Sequence, residues 1–212
     1  MTLESGVVGD LTTIHGAARC RVAVTVPANA TVTPGPNIQN TTITLGRTDV
    51  TATFPQPPPA DIFFDDPAGT LSLAAGAYGN VTINQGTLSL TSVPGNYTFE
   101  SLTLESGTTF LCGNTGGVVR VSIRGAFIFR AAMNTGTNPA NLRFAVFGAL
   151  GATLMAGTTT SVFRGTVVAM NGPLLIQNTR TYRGGFFGQT VTLGNGVTIQ
   201  HTAFSAWEAP TI

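Results

Sequence analysis

The side chains able to do chemistry are few and scattered in this chain of 212 residues. Asp61, Asp65 and Asp66 flank Phe63-Phe64 just after a run of prolines. Their oxygens suit calcium, a hard cation that takes about six to eight such ligands, but acids beside a proline run read first as solvated charge. Glu100 and Glu105 lie near expected turns, and acids are then almost absent until Glu208. A polysaccharide lyase or hydrolase needs clustered carboxylates, or an arginine base beside a calcium site, and no such cluster is visible. His15 and His201 have no serine or cysteine in a nucleophile elbow or triad context. Glycine is abundant, yet no Gly-x-Gly-x-x-Gly lies between a strand and a helix, so nucleotide binding is unsupported. No catalytic, cofactor-binding or metal-binding residue is therefore assigned, and no cofactor.

Two constellations remain. Phe127, Phe144, Phe163 and Tyr182 follow one another at intervals of 17, 19 and 19 (144 − 127, 163 − 144, 182 − 163), and His201 comes 19 later. Rings stacked at such a spacing read as a core aromatic column, with a sugar-stacking platform as the competing use. Arg164 and Arg183 each follow an aromatic by one position, which places them on the opposite face of a strand, one repeat apart. Like charges so stacked repel unless an anion sits between them, so the pair is a candidate anion contact.

The elements that must carry these residues are strands. Phe163-Arg164-Gly165-Thr166-Val167-Val168 is echoed by Tyr182-Arg183-Gly184-Gly185-Phe186-Phe187. Apolar triplets such as Val81-Thr82-Ile83, Leu88-Ser89-Leu90, Leu102-Thr103-Leu104 and Val191-Thr192-Leu193 point two side chains in and one out. Glycines between them tolerate tight turns. A unit of about 19 residues is too short for a domain and suits one coil of a solenoid that buries its inward side chains by stacking on the next. The expected fold is all-β, a right-handed parallel β-helix. Residues 1–54 form a strand-rich N-terminal arm or cap, 55–66 a proline-rich spacer and 67–212 the β-solenoid domain.

Composition bounds the partners. Only 9% of residues are charged, against 42% hydrophobic, and the formal net charge is +1. No lysine occurs, which leaves sheet edges short of a common guard. A basic nucleic-acid patch is unsupported, and no run of about 18 apolar residues marks a membrane span. Cys20 and Cys112 have no metal spacing and are either one disulfide or two buried small hydrophobes. The start lacks the basic and apolar regions of a signal peptide. Threonine is abundant, at 35 residues, and a regular outward array of it would match an ice lattice. The outward positions, however, mix Ser, Thr, Arg, Glu and Asn.

The segment from Leu73 to Phe110, with Gly95-Asn96-Tyr97-Thr98-Phe99 inside it, and the later Phe163 to Asn171 and Arg183 to Leu193 resemble a family of bacterial surface-associated β-helical domains of unknown function, found in secreted and pilus-associated proteins. In that family the strand is commonly followed by Pro-Asn, where this chain has Met170-Asn171. More distantly the layout is similar to bactofilins and to ice-binding β-solenoids. The resemblance implies a β-helix and an extracellular or cell-surface location, with a cytoplasmic filament as the alternative.

The leading expectation is a non-enzymatic structural subunit that assembles with itself into a fibre or surface layer, through the solenoid ends and the N-terminal arm. Residues 1–54 would add strands to a neighbouring subunit, and Trp207 would pack at a subunit contact. A ligand-binding surface module, for ice or glycan, is the alternative, and a polysaccharide-active β-helix enzyme ranks third.

Overall fold

The computed structural model describes residues 50, 52–134, 136–157 and 161–202, together with the backbone of six short strands between residues 2 and 33. Apart from one turn of 3-10 helix at Asn114–Gly116, every regular element among these residues is a strand, and every ladder is parallel. The N-terminal strands are β1 (Thr2–Leu3), β2 (Gly6–Val8), β3 (Thr13–His15), β4 (Arg19–Cys20), β5 (Val24–Thr25) and β6 (Thr31–Thr33). Three long strands follow, β7 (Ile62–Leu73), β8 (Gly76–Leu90) and β9 (Gly95–Cys112). Then come β10 (Val119–Ile123), β11 (Phe127–Phe129), β12 (Ala132–Met133), β13 (Leu142–Val146), β14 (Ala152–Leu154) and β15 (Val162–Arg164). The last coils hold β16 (Thr166–Ala169), β17 (Leu174–Ile176), β18 (Thr181–Gly184), β19 (Phe186–Gly188), β20 (Val191–Leu193) and β21 (Thr198–His201).

The ladders divide each coil into three faces. Successive parts of β9 pair with β10, β11 and β12, so one long strand runs round all three. Face 1 continues through β13, β16 and β19. Face 2 runs β7, β8, β9, β11, β14, β17, β20, and face 3 ends in β15, β18 and β21. The chain is thus a parallel β-solenoid, as alternation and glycine punctuation lead one to expect. The coils are not of one length. On face 2, Leu102 is followed by Phe127, Ala152, Leu174 and Val191, at steps of 25, 25, 22 and 17. The step of 19 is that of Phe163 to Tyr182 and of Val167 to Phe186.

Inward residues of all three faces meet in one core. Val81, Leu102, Phe127, Leu154, Leu174 and Val191 from face 2 join Tyr97, Phe99, Val121, Phe144 and Val167 from face 1 and Phe110, Phe163, Tyr182 and Ile199 from face 3. Corners use glycine where the backbone demands it. Gly151 has φ +66, and a Cβ there would collide with the Pro173 carbonyl of the next coil. Cys112 is a free thiol in this core, so it forms no disulfide.

The N-terminal strands extend the stack from its far end. β2 pairs with β20 (Val7↔Thr192) and β3 with β21 (Ile14↔Ile199), after which β5 and β6 add a further coil. Spatial order therefore departs from chain order: the first residues lie beside the last coil. The strands expected to pair with a neighbouring subunit pair instead within the chain. The physical reason is that the ladder N–H and C=O groups at the outer edge of β20 and β21 need partners, and β2 and β3 supply them. β7, which opens the stack at the other end, starts at Ile62, within the stretch 55–66 expected as spacer.

Candidate functional site

The three faces differ in what lies over them. Face 1 is covered: its outward residues Arg143, Ala145 and Thr166 are buried. Val50 is buried too, and Phe54 lies edge-on to Phe147 at 5.7 Å and under the Arg124 guanidinium at 5.0 Å. Arg124 also pairs with Glu100 at 3.2 Å.

Face 2 is open and uncharged. The central residue of each triplet points outward, and the register aligns Phe63, Thr82, Thr103, Ile128, Thr153, Leu175 and Thr192 in one column. Parallel strands place successive members about 4.8 Å apart. Thr82, Thr103, Ile128, Thr153 and Leu175 are half-buried by their neighbours, Thr192 is exposed, and Phe63 at the end of the column is 68% exposed. Backbone register carries the column on to Val7 and Thr25. Charge is confined to the corners of this face, where Glu100 meets Arg124 and Glu105 meets Arg130 at 2.8 Å. The mixture of outward residue types that argues against a regular array in the sequence thus resolves face by face.

Face 3 carries the arginine pair. Arg164 and Arg183 are register neighbours on β15 and β18, and both are half-buried. Burial, and next the charge of Arg183, lower the Arg164 pKa from its ordinary value. Arg183 Nε donates to Gln200 Oε1 at 2.6 Å, and Gln200 is its register partner on β21.

The four aromatics are fully buried but do not form a single file. Phe127 belongs to face 2, Phe144 to face 1, and Phe163 and Tyr182 to face 3. Their rings still touch in succession inside the solenoid, at centroid distances of 4.7, 6.0 and 6.1 Å. His201 does not continue them. It pairs with Gly184 and is exposed, and Ile199 is the residue that follows Tyr182; the last coil is 17 long, so a step of 19 overshoots it. Trp207 lies outside the described residues.

The acids are engaged one by one. Asp61 Oδ1 accepts from the Asn80 backbone N–H at 2.8 Å and its side-chain amide at 3.0 Å, which holds the carboxyl below its usual range. Asp65 accepts from Gln85 at 3.1 Å, and Asp66 from the Ala68 N–H at 3.1 Å. Among the described residues no three His, Cys, Asp or Glu side chains come together as a metal site, and no helix is long and apolar enough to cross a membrane.

The column on face 2 is the site that sequence reasoning missed. Its signal is the middle residue of Val-Thr-Ile, Leu-Thr-Leu, Phe-Ile-Phe, Ala-Thr-Leu, Leu-Leu-Ile and Val-Thr-Leu. A fixed period cannot align these triplets across coils that step by 17 to 25.

Neither a family model nor a curated protein sequence matches the chain, so the resemblance to surface-associated and pilus-type families has no matching model behind it. Two solved structures are similar to it. An ice-binding protein from the Antarctic ascomycete Antarctomyces psychrotrophicus is similar at 17% identity and a TM-score of 0.46, over 99% of this chain and 94% of that one. The DUF3494 domain of an ice-binding protein from Shewanella frigidimarina is similar at 16% identity and a TM-score of 0.39, over 96% and 94%.

Proposed function

We propose that this protein is a non-enzymatic surface-binding module, acting outside the cell or at its surface, that lays face 2 against ice. The observation that carries this reading is the open, uncharged column Thr82, Thr103, Ile128, Thr153, Leu175 and Thr192, held in register by five ladders. A crystal surface is a repetitive ligand and calls for a repetitive, rigid receptor. Threonine brings a hydroxyl for water and a methyl against it, and its branched Cβ restricts χ1, so the array is largely ordered before it binds and loses little entropy on contact. Charged groups, which hold their own hydration, stand aside at the corners. A glycan platform finds less support, because stacking rings are needed at the surface and Phe127, Phe144, Phe163 and Tyr182 are all buried.

Thermal hysteresis and partition into growing ice test the proposal. The protein is expected to concentrate in the ice fraction. Replacing Thr103 and Thr153 together by Tyr, which breaks the flat column from outside the core, is expected to remove at least about half of the hysteresis while the unfolding midpoint stays within a few degrees. Exclusion of the unaltered protein from ice, or full activity in the double variant, overturns it.

A further inference from the structure

We propose that Arg164 and Arg183, with Gln200 one coil further on, form an oxyanion-binding strip on face 3 that takes a carboxylate, sulfate or phosphate group. The strip goes beyond the reading of face 2 and lies on a different side of the solenoid.

Three observations converge on it. Arg164 and Arg183 occupy register positions on adjacent parallel strands, whose backbones lie about 4.8 Å apart, and like charges so placed destabilise each other unless an acceptor lies between them. No carboxylate does so among the described residues, where arginine forms ion pairs at Arg124 with Glu100 and at Arg130 with Glu105. Arg164 Nε is buried and has no hydrogen-bond partner among the described residues, a state that native proteins rarely leave without an acceptor. The backbone N–H of Arg164 is occupied separately, donating to Met133 Sδ at 3.0 Å.

Arg183 and Gln200 are arranged to help. Arg183 spends Nε on Gln200 Oε1, so a ligand is met by its terminal nitrogens, with the Gln200 amide nitrogen as a further donor. A planar guanidinium donates to two oxygens in a fork, so the strip favours a planar or tetrahedral oxyanion over halide. The lowered pKa of Arg164 agrees with a charge that lacks its counter-charge.

Two sources offer this chemistry, a free inorganic oxyanion and the acidic sugars of a polysaccharide, and the experiment separates them. Arginine Nε–Hε resonances are followed by NMR during titration with sodium sulfate against sodium chloride at matched ionic strength. Affinity electrophoresis compares gels holding polygalacturonate with gels holding neutral dextran. Both are run on the intact chain and on Arg183→Gln. Saturable shifts of Arg164 and Arg183 with sulfate in the intact chain, with the apparent affinity read at Arg164 weakened tenfold or more in the variant, support the strip with a free anion as source. Retardation by polygalacturonate alone, lost in the variant, supports it with an acidic glycan as source. Absence of both responses, or equal responses from protein and variant, overturns it. Ice partition of Arg183→Gln is expected to be unchanged, so failure here is distinguishable from failure of face 2.

Discussion

Cys112 and Tyr182 show how single residues tie this fold to pH. Burial pushes the Cys112 thiol from 9.0 up to about 12. Burial likewise pushes the Tyr182 phenol from 10.0 up to about 12, its hydroxyl donating to the Gln177 carbonyl, with the Leu154 carbonyl beside it, and accepting from the Ala156 N–H. Both groups keep their protons longer in the folded state than in the unfolded one. Above pH 9 the unfolded chain therefore binds fewer protons, and stability falls as pH rises. The loss starts near pH 9 through Cys112, is joined near pH 10 by Tyr182, and ends only above about 12. Each group contributes a slope of at most about 1.4 kcal/mol per pH unit. Urea midpoints measured from pH 8 to 11 are expected to decline from 9 upward. Cys112→Ala is expected to delay the onset by about one unit; an unchanged onset in that variant refutes the assignment. The burial of these two side chains was legible in part. Tyr182 sits in the clearest repeat of the chain, whereas Cys112 lies in a strand whose fate as disulfide partner or core residue spacing alone left open.

At the scale of elements, the repeat that sequence reading caught belongs to one corner. Phe163-Arg164-Gly165 and Tyr182-Arg183-Gly184 turn from face 3 to face 1 in successive coils, locked by Gly165 N–H to the Arg183 carbonyl at 2.9 Å. Gly184 has φ +150, and a Cβ there would collide with the Gly165 carbonyl. Gly184→Ala is thus expected to cost about 2 kcal/mol or more in denaturant unfolding. Gly113 has φ −82 and nothing within 4 Å of its absent Cβ, so Gly113→Ala is expected to change stability by less than about 0.5 kcal/mol. Equal costs at the two positions count against the corner stack. Strand triplets and turn glycines were readable because alternation and left-handed backbone leave local marks. The alignment of triplets into faces was not, because corners of unequal length separate them: eight residues (134–141) join β12 to β13, but Gly165 alone joins β15 to β16. The Thr82 to Thr192 column is a consequence of that alignment and stayed hidden with it.

The whole molecule is a stack with two unlike ends. At one end β2 and β3 pair with β20 and β21 and carry the ladder on to β5 and β6, so the edge of the last C-terminal coil is occupied from within. At the other end, among the described residues, β7 pairs only with β8, and its outer edge is poorly suited to recruit a strand. Pro67 has no N–H to donate, Asp65 and Asp66 set charge beside it, and the register shifts between Phe64 and Thr70. These are devices by which β-proteins discourage edge pairing. They weaken the expectation of a fibre, which rested on scarce charge and absent lysine. The strands of residues 1–33 were legible as strands, but their place beside the last coil was not, since pairing between chain ends leaves no periodic mark. Deleting residues 1–33 uncovers the backbone of β20 and β21 together with the Val191, Leu193 and Ile199 end of the core, all buried in the intact chain. Light scattering is expected to find the intact protein monomeric and the truncated form aggregated or associated through the new edge, with a lower unfolding midpoint. A truncated form that stays monomeric and equally stable removes the capping role of the arm, and filaments of the intact protein show that the β7 edge recruits partners despite Pro67 and its acids.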